Sequence, residues 1–257
     1  MPPKPKTEAG REVPSTSRAP ANTERKRKGA ANGSSGAASK AGLVAITESD
    51  IAVAARRLAR REPRFRPVLK KYGLPPLWPR EPGFATLIFI ILEQQVSMQS
   101  AQAAFERLQA TLGVVTPEAF LGLDDAQLKT IGFSRQKMRY GRELARVVLD
   151  GSLDLNALHV MEDEAVRSAL TRLPGIGDWT VDVYLLMVLL RADAFPKGDL
   201  ALLIAAHRLF GLTTRPTPAE AELMAEAWRP YRGVATRILW HFYLSERRAG
   251  PSRTEGS

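Results

Sequence analysis

The sequence predicts an all-α protein, and three observations carry that prediction. From Ile46 onward apolar residues return at three- and four-residue spacing, the period of a helix buried on one face. No segment sustains the two-residue alternation of a half-buried strand. Glycines such as Gly113 and Gly151 stand where periodic runs stop, as they do at helix ends. With 257 residues and 44% apolar content the chain can bury a real core. The absence of internal repeats or composition breaks over 42–248 predicts one continuous, bilobed helical body.

Residues 1–41 differ from the rest. They are rich in Pro, Ala, Ser, Gly and Lys/Arg with almost no large apolar side chain, a composition that cannot offset the entropy of ordering. They read as a disordered basic arm, and 249–257 as a disordered tail. The run Arg25-Lys26-Arg27-Lys28 suits a nuclear-localisation or DNA-contacting patch, or simply a solvated tether. Thr47-Glu48-Ser49-Asp50 is a start signal for a helix over 51–61. Six prolines between Pro63 and Pro82 then predict a long loop. The strongly apolar stretch 84–92 should be a core helix. Helical periodicity follows over 94–112, 116–121, 124–131 and a basic segment, 134–149. Further helices are expected at 163–172, 179–190, 200–210, 218–227 and 231–244.

The formal charge of +10 points to a polyanionic partner. The arm carries +6 of it, through nine Lys/Arg against three acids, so the folded part is only mildly basic. With no cysteine, the chain has no disulfide, thiolate zinc site, catalytic thiol or cysteine-ligated iron–sulfur cluster. The opening MPPKPK lacks the apolar core of a signal peptide, and no uncharged apolar run reaches the roughly 18 residues of a membrane span. A soluble, intracellular protein without membrane partners is expected. His159, His207 and His241 are scattered without metal-ligand spacing, so neither a metal nor another cofactor is expected.

The most informative stretch is Leu173-Pro174-Gly175-Ile176-Gly177, between an amphipathic and an apolar helix. Two glycines two apart allow a tight turn and close approach of the backbone. The helix that follows offers unpaired N–H groups and a positive dipole end, an arrangement that docks phosphate. A plain turn between packed helices fits the same residues. Asp199 taken alone is an N-cap for the helix over 200–210.

This stretch resembles the helix-hairpin-helix motif of the DNA glycosylase superfamily, in which a catalytic aspartate follows at a loop-to-helix junction some two dozen residues later. Asp199 lies 24 residues beyond Gly175. The run Leu173–Thr180 is similar to the 3-methyladenine DNA glycosylase II, or alkylation-repair, family. So are Ile91-Leu92-Glu93-Gln94-Gln95-Val96-Ser97, Gly132-Phe133-Ser134-Arg135-Gln136-Lys137 and Trp228-Arg229-Pro230-Tyr231-Arg232. The resemblance covers roughly 80–245. Glu93 replaces the family's usual glycine, Asp178 puts an acid directly after the hairpin, and Val183 stands where the family has a pocket tyrosine.

The resemblance implies a short, helical-only DNA glycosylase that acts on alkylated purines in double-stranded DNA. Bifunctional relatives form a Schiff base with a lysine two residues after the second hairpin glycine. Here Trp179 stands there, implying a monofunctional enzyme that uses water. Asp199 is the implied catalytic carboxylate. Trp179 and Trp240, with Tyr184 and Tyr231, are implied walls of the base pocket, although aromatic residues on amphipathic helices also serve as core. Gly175, Ile176 and Gly177 are the implied phosphate-docking hairpin. Gln95, with Gln94, is the expected wedge that fills the gap left by an extruded base, unless both merely cap backbone. Arg135 and Lys137 are expected DNA contacts, unless the basic helix is a solvated face. A monomer is expected, since flipping one base needs one site. A glycosylase for mismatched or oxidised bases, and a non-catalytic DNA-binding module, remain alternatives.

Overall fold

Short polar side chains set the helix starts. The computed structural model describes residues 45–249, so the expected basic arm over 1–41 and the tail after Ala249 lie outside the described residues. Thr47 and Asp50 form a reciprocal capping box at the head of α1 (Glu48–Arg61). Then come α2 (Phe65–Tyr72), α3 (Phe84–Glu93), α4 (Met98–Leu112), α5 (Pro117–Leu121), α6 (Asp125–Ile131) and α7 (Arg135–Leu149). A 3-10 turn, Ala157–Val160, leads to α8 (Asp163–Thr171) and α9 (Asp178–Met187). The chain closes with α10 (Leu200–Leu209), α11 (Pro218–Ala225), a second 3-10 turn at Glu226–Trp228, and α12 (Arg232–Ala249). Among the described residues there is no strand.

The helices sort into two packing groups within one compact unit. α3 buries Phe84, Leu87, Ile88, Ile90, Ile91 and Leu92, and a helix apolar nearly all round belongs inside a core. It packs against α4, α7 and α9. α12 is the spine of the other group, packed on α10, α1 and α2, so both ends of the described chain share a lobe. Buried Arg237 pins the junction: its guanidinium donates to the carbonyls of Leu77 at 3.0 Å, Gly233 at 3.2 Å and Leu186 at 2.6 Å. Burial pushes its pKa down to about 10, which still leaves it charged at neutral pH.

The proline-rich stretch is not all loop. α2 forms inside it because Pro67 is the third helical residue, where no intrahelical N–H bond is lost. Burial of Phe65 against Phe210 and Trp228, at ring separations of 5.8 and 5.5 Å, holds that helix in place. The expected helix over 94–112 starts later, since Gln94, Gln95 and Val96 turn and Ser97 caps α4 through the Ser100 amide. α9 stops at Met187, beyond which Leu189 and Arg191 donate back to Tyr184 and Leu185 across five and six residues rather than the four of an α-helix. α12 runs on to Ala249, its last turns tied to α2 by Glu246, which accepts from Lys71 and Tyr72. Among the described residues no helix is long and apolar enough to cross a membrane, and no group of three His, Cys, Asp or Glu is placed to hold a metal ion.

Candidate functional site

The site begins at the turn between α8 and α9. The Ile176 amide donates to the Leu173 carbonyl at 3.1 Å and closes the hairpin, while the Ile176 side chain is buried beneath it. Gly175 takes φ 84°, and the Tyr140 ring lies where a side chain would begin: a Cβ would come within 2.0 Å of it. Only glycine meets both constraints. Gly177 is the N-cap of α9 with no side-chain cap, and nothing stands within 4 Å of where its Cβ would be. Gly177 and Asp178 are exposed, so the start of α9, with its unpaired amides, lies at the surface. Asp178 does not leave a bare negative charge there, because Arg167 on α8 donates to it at 3.2 Å.

A second turn is bolted to the hairpin. Gln94 donates through Nε2 to the Gly175 carbonyl at 2.7 Å and to Thr180 Oγ1 at 3.0 Å, so it is a strut. Beside it Gln95 is exposed with φ 58°, a left-handed backbone rare outside glycine, and exposed Val96 and Met98 flank it. The expected free basic pair divides at this point. Arg135 is exposed on the first turn of α7. Lys137 is half-buried and its ammonium donates to the Leu92 carbonyl at 2.8 Å and the Gln94 carbonyl at 2.9 Å. Burial lowers its pKa. Lys137 is thus a fastener for the end of α3, a task its charge in the sequence did not reveal.

Glu93, where the resemblance predicts glycine, forks onto Arg80 with two bonds of 2.7 Å. This pair ties the segment after α2 to the end of α3.

Three elements converge on Asp199. Its own side chain caps α10, with Oδ1 accepting from the Leu202 amide at 2.8 Å. Trp240 of α12 donates its indole N–H to the same oxygen at 2.9 Å. Trp179 of α9 donates to Oδ2 at 3.0 Å. Oδ1 thus takes two donors and Oδ2 one, which leaves an acceptor direction free on Oδ2. Trp179 is the second residue of the helix that the hairpin starts, so one indole spans from the docking turn to the carboxylate. Asp182, one turn further along α9, is buried and bonded to Arg167, and desolvation pushes its pKa up to about 6.

Two expected pocket residues lie elsewhere. Tyr184 is fully buried in the core, its hydroxyl without a hydrogen-bond partner and its pKa pushed up to about 12 by burial. Tyr231 precedes α12 and accepts from Arg57 of α1. Nine residues separate it from Trp240, about 13 Å along a helix. Sequence reasoning also missed Trp78, whose ring lies 6.4 Å from that of Trp240. An aromatic residue among prolines carries no periodic signal.

The model of the HhH-GPD superfamily base excision DNA repair proteins matches residues 88–230. The Bacillus subtilis protein YfjP is 32% identical over 158 residues, 58% of this chain and 55% of its own. The chain therefore spans little more than half of that relative. DNA-3-methyladenine glycosylase 1 of Schizosaccharomyces pombe is 28% identical over 63% of this chain and 72% of its own. The structure of the S. pombe 3-methyladenine DNA glycosylase in complex with abasic DNA superimposes with a TM-score of 0.66 at 25% identity, covering 74% of this chain and 95% of that one. With the family model spanning the hairpin and the capped aspartate alike, this chain belongs to the HhH-GPD superfamily of base excision DNA repair proteins.

Proposed function

We propose that the protein is a monofunctional DNA glycosylase, of the DNA-3-methyladenine glycosylase II type, that removes alkylated purines from double-stranded DNA as a monomer. The observation that carries this reading is the Asp199 carboxylate, held by two indole N–H groups and one amide with an acceptor direction left free. Relatives named as 3-methyladenine glycosylases support the substrate class.

In this reading the hairpin amides at Gly177 and after it hold a backbone phosphate, and Gln95 fills the space left by the extruded base. The C1′–N bond breaks with both electrons leaving on the base. A base that is already cationic departs neutral and needs no general acid. The positive charge that develops on the deoxyribose faces Asp199, whose ionised form stabilises it. Water then adds to C1′, and its proton passes to Asp199 or to solvent. Trp179 has no amine with which to trap the sugar as a Schiff base, so the product is an abasic site.

The test is release of abasic sites from methylated duplex by the wild type and by Asp199→Asn. The amide keeps the oxygen that caps α10 but loses the charge. Expected are excision by the wild type, none by the variant, and similar duplex affinity for both. Normal turnover by the variant would sink the assignment. Duplexes with oxidised or mismatched bases, run in parallel, report whether the substrate class is instead one of those, and binding without any base release would mark a non-catalytic module.

A further inference from the structure

The geometry points to Trp78 as a third aromatic side chain of the site around Asp199, one that touches the extruded base and favours a cationic purine. The inference rests on the glycosylase reading and adds a residue outside the stretch that the family model matches.

Trp78 holds φ 49°, a left-handed backbone that a bulky residue adopts only when its surroundings impose it. The impositions are visible on both sides. The Leu77 carbonyl is held at 3.0 Å by buried Arg237. The Arg80 amide donates to the Met187 carbonyl at 2.7 Å. The Arg80 guanidinium forks onto Glu93 and lies 4.9 Å over the Phe89 ring. A strained residue pinned at both flanks is aimed rather than merely tolerated.

What it aims at is Trp240. The two rings are 6.4 Å apart and tilted by 59°, and the Trp78 ring is also 6.4 Å from that of His241. Trp240 is the residue whose indole N–H holds Asp199. Trp78 is only partly buried, so part of its surface remains available. Electron-rich rings beside a carboxylate attract a flat cation more strongly than a neutral base of the same shape.

Single-turnover excision by the full chain tests this, with wild type, Trp78→Leu and Trp78→Phe compared on duplexes containing 7-methylguanine, which is cationic, or hypoxanthine, which is neutral. For Trp78→Leu the expected result is a fall of about ten-fold or more in kcat/KM on 7-methylguanine but no more than about two-fold on hypoxanthine, as loss of a desolvated cation–π contact requires. Trp78→Phe should recover most of the activity. Equal losses on both bases, or no loss on either, would overturn the inference and leave Trp78 as packing. If the wild type releases neither base, the glycosylase reading itself fails and this proposal falls with it, so the two failures are told apart before Trp78 is changed.

Discussion

Trp240 donates its indole N–H to Asp199 Oδ1 at 2.9 Å across 41 residues of sequence. The bond runs from the spine helix of one lobe to the cap of α10, so the carboxylate is oriented by a residue far from the hairpin. Trp240→Phe keeps the ring and deletes the donor. We expect kcat on methylated DNA to fall about ten-fold, the worth of one hydrogen bond to a charged group, with duplex affinity little changed. An unchanged kcat would show that Trp179 and the Leu202 amide suffice.

Lys137 and Arg135 should separate cleanly. Lys137→Met leaves the carbonyls of Leu92 and Gln94 without their donor, and a loss of about 2–3 kcal/mol in urea unfolding is expected. The salt dependence of duplex binding should keep its slope. Arg135→Ala should do the reverse, lowering the slope by about one counterion and leaving stability within about 0.5 kcal/mol.

Gly175→Ala places a methyl against the Tyr140 ring on a backbone at φ 84°. Either effect alone is destabilising, and together they should cost about 2 kcal/mol or more and weaken duplex binding by displacing the turn. Trimming the ring in Gly175→Ala/Tyr140→Ala should recover only the steric share, measurable by thermal unfolding of the single and double variants.

Asp182 gives the fold a pH dependence of known sign. Its folded pKa of about 6 lies above the ordinary carboxyl value of 3.8, so the native state holds this proton more tightly than the unfolded chain does. The stability it contributes is present in full below about pH 4 and is lost as pH rises through about 6, up to about 3 kcal/mol by neutral pH. Urea unfolding at pH 5.0 and 7.5 should show wild type gaining on Asp182→Asn at the lower pH; parallel pH profiles would contradict this.

Much of the fold was legible because apolar spacing and caps act locally. The box of Thr47 and Asp50, the apolar run of α3 and the stops at Gly113 and Gly151 each depend on neighbours in sequence. α2 was hidden because prolines are counted as breakers before their position in a helical turn is known. Of the candidate site, the hairpin and Asp199 could be read from spacing and resemblance. That Lys137 faces carbonyls, that Tyr184 is core, and that Trp78 meets Trp240 could not, since each depends on which distant segment packs opposite.

Arg237 changes how the chain's charge should be weighed. It is not alone in spending its N–H groups on main-chain oxygens: Arg61 reaches the Arg229 carbonyl, Arg66 that of Ala59, Arg107 that of Ile131, Arg142 that of Leu123, and Arg191 those of His159 and Met161. A helical protein has no sheet ladder to stitch its loops together, and here guanidinium groups serve as the stitches. Each keeps its charge, but a count of arginines overstates the guanidinium donors this fold leaves for direct contact with a polyanion, because a good share of them are mortar.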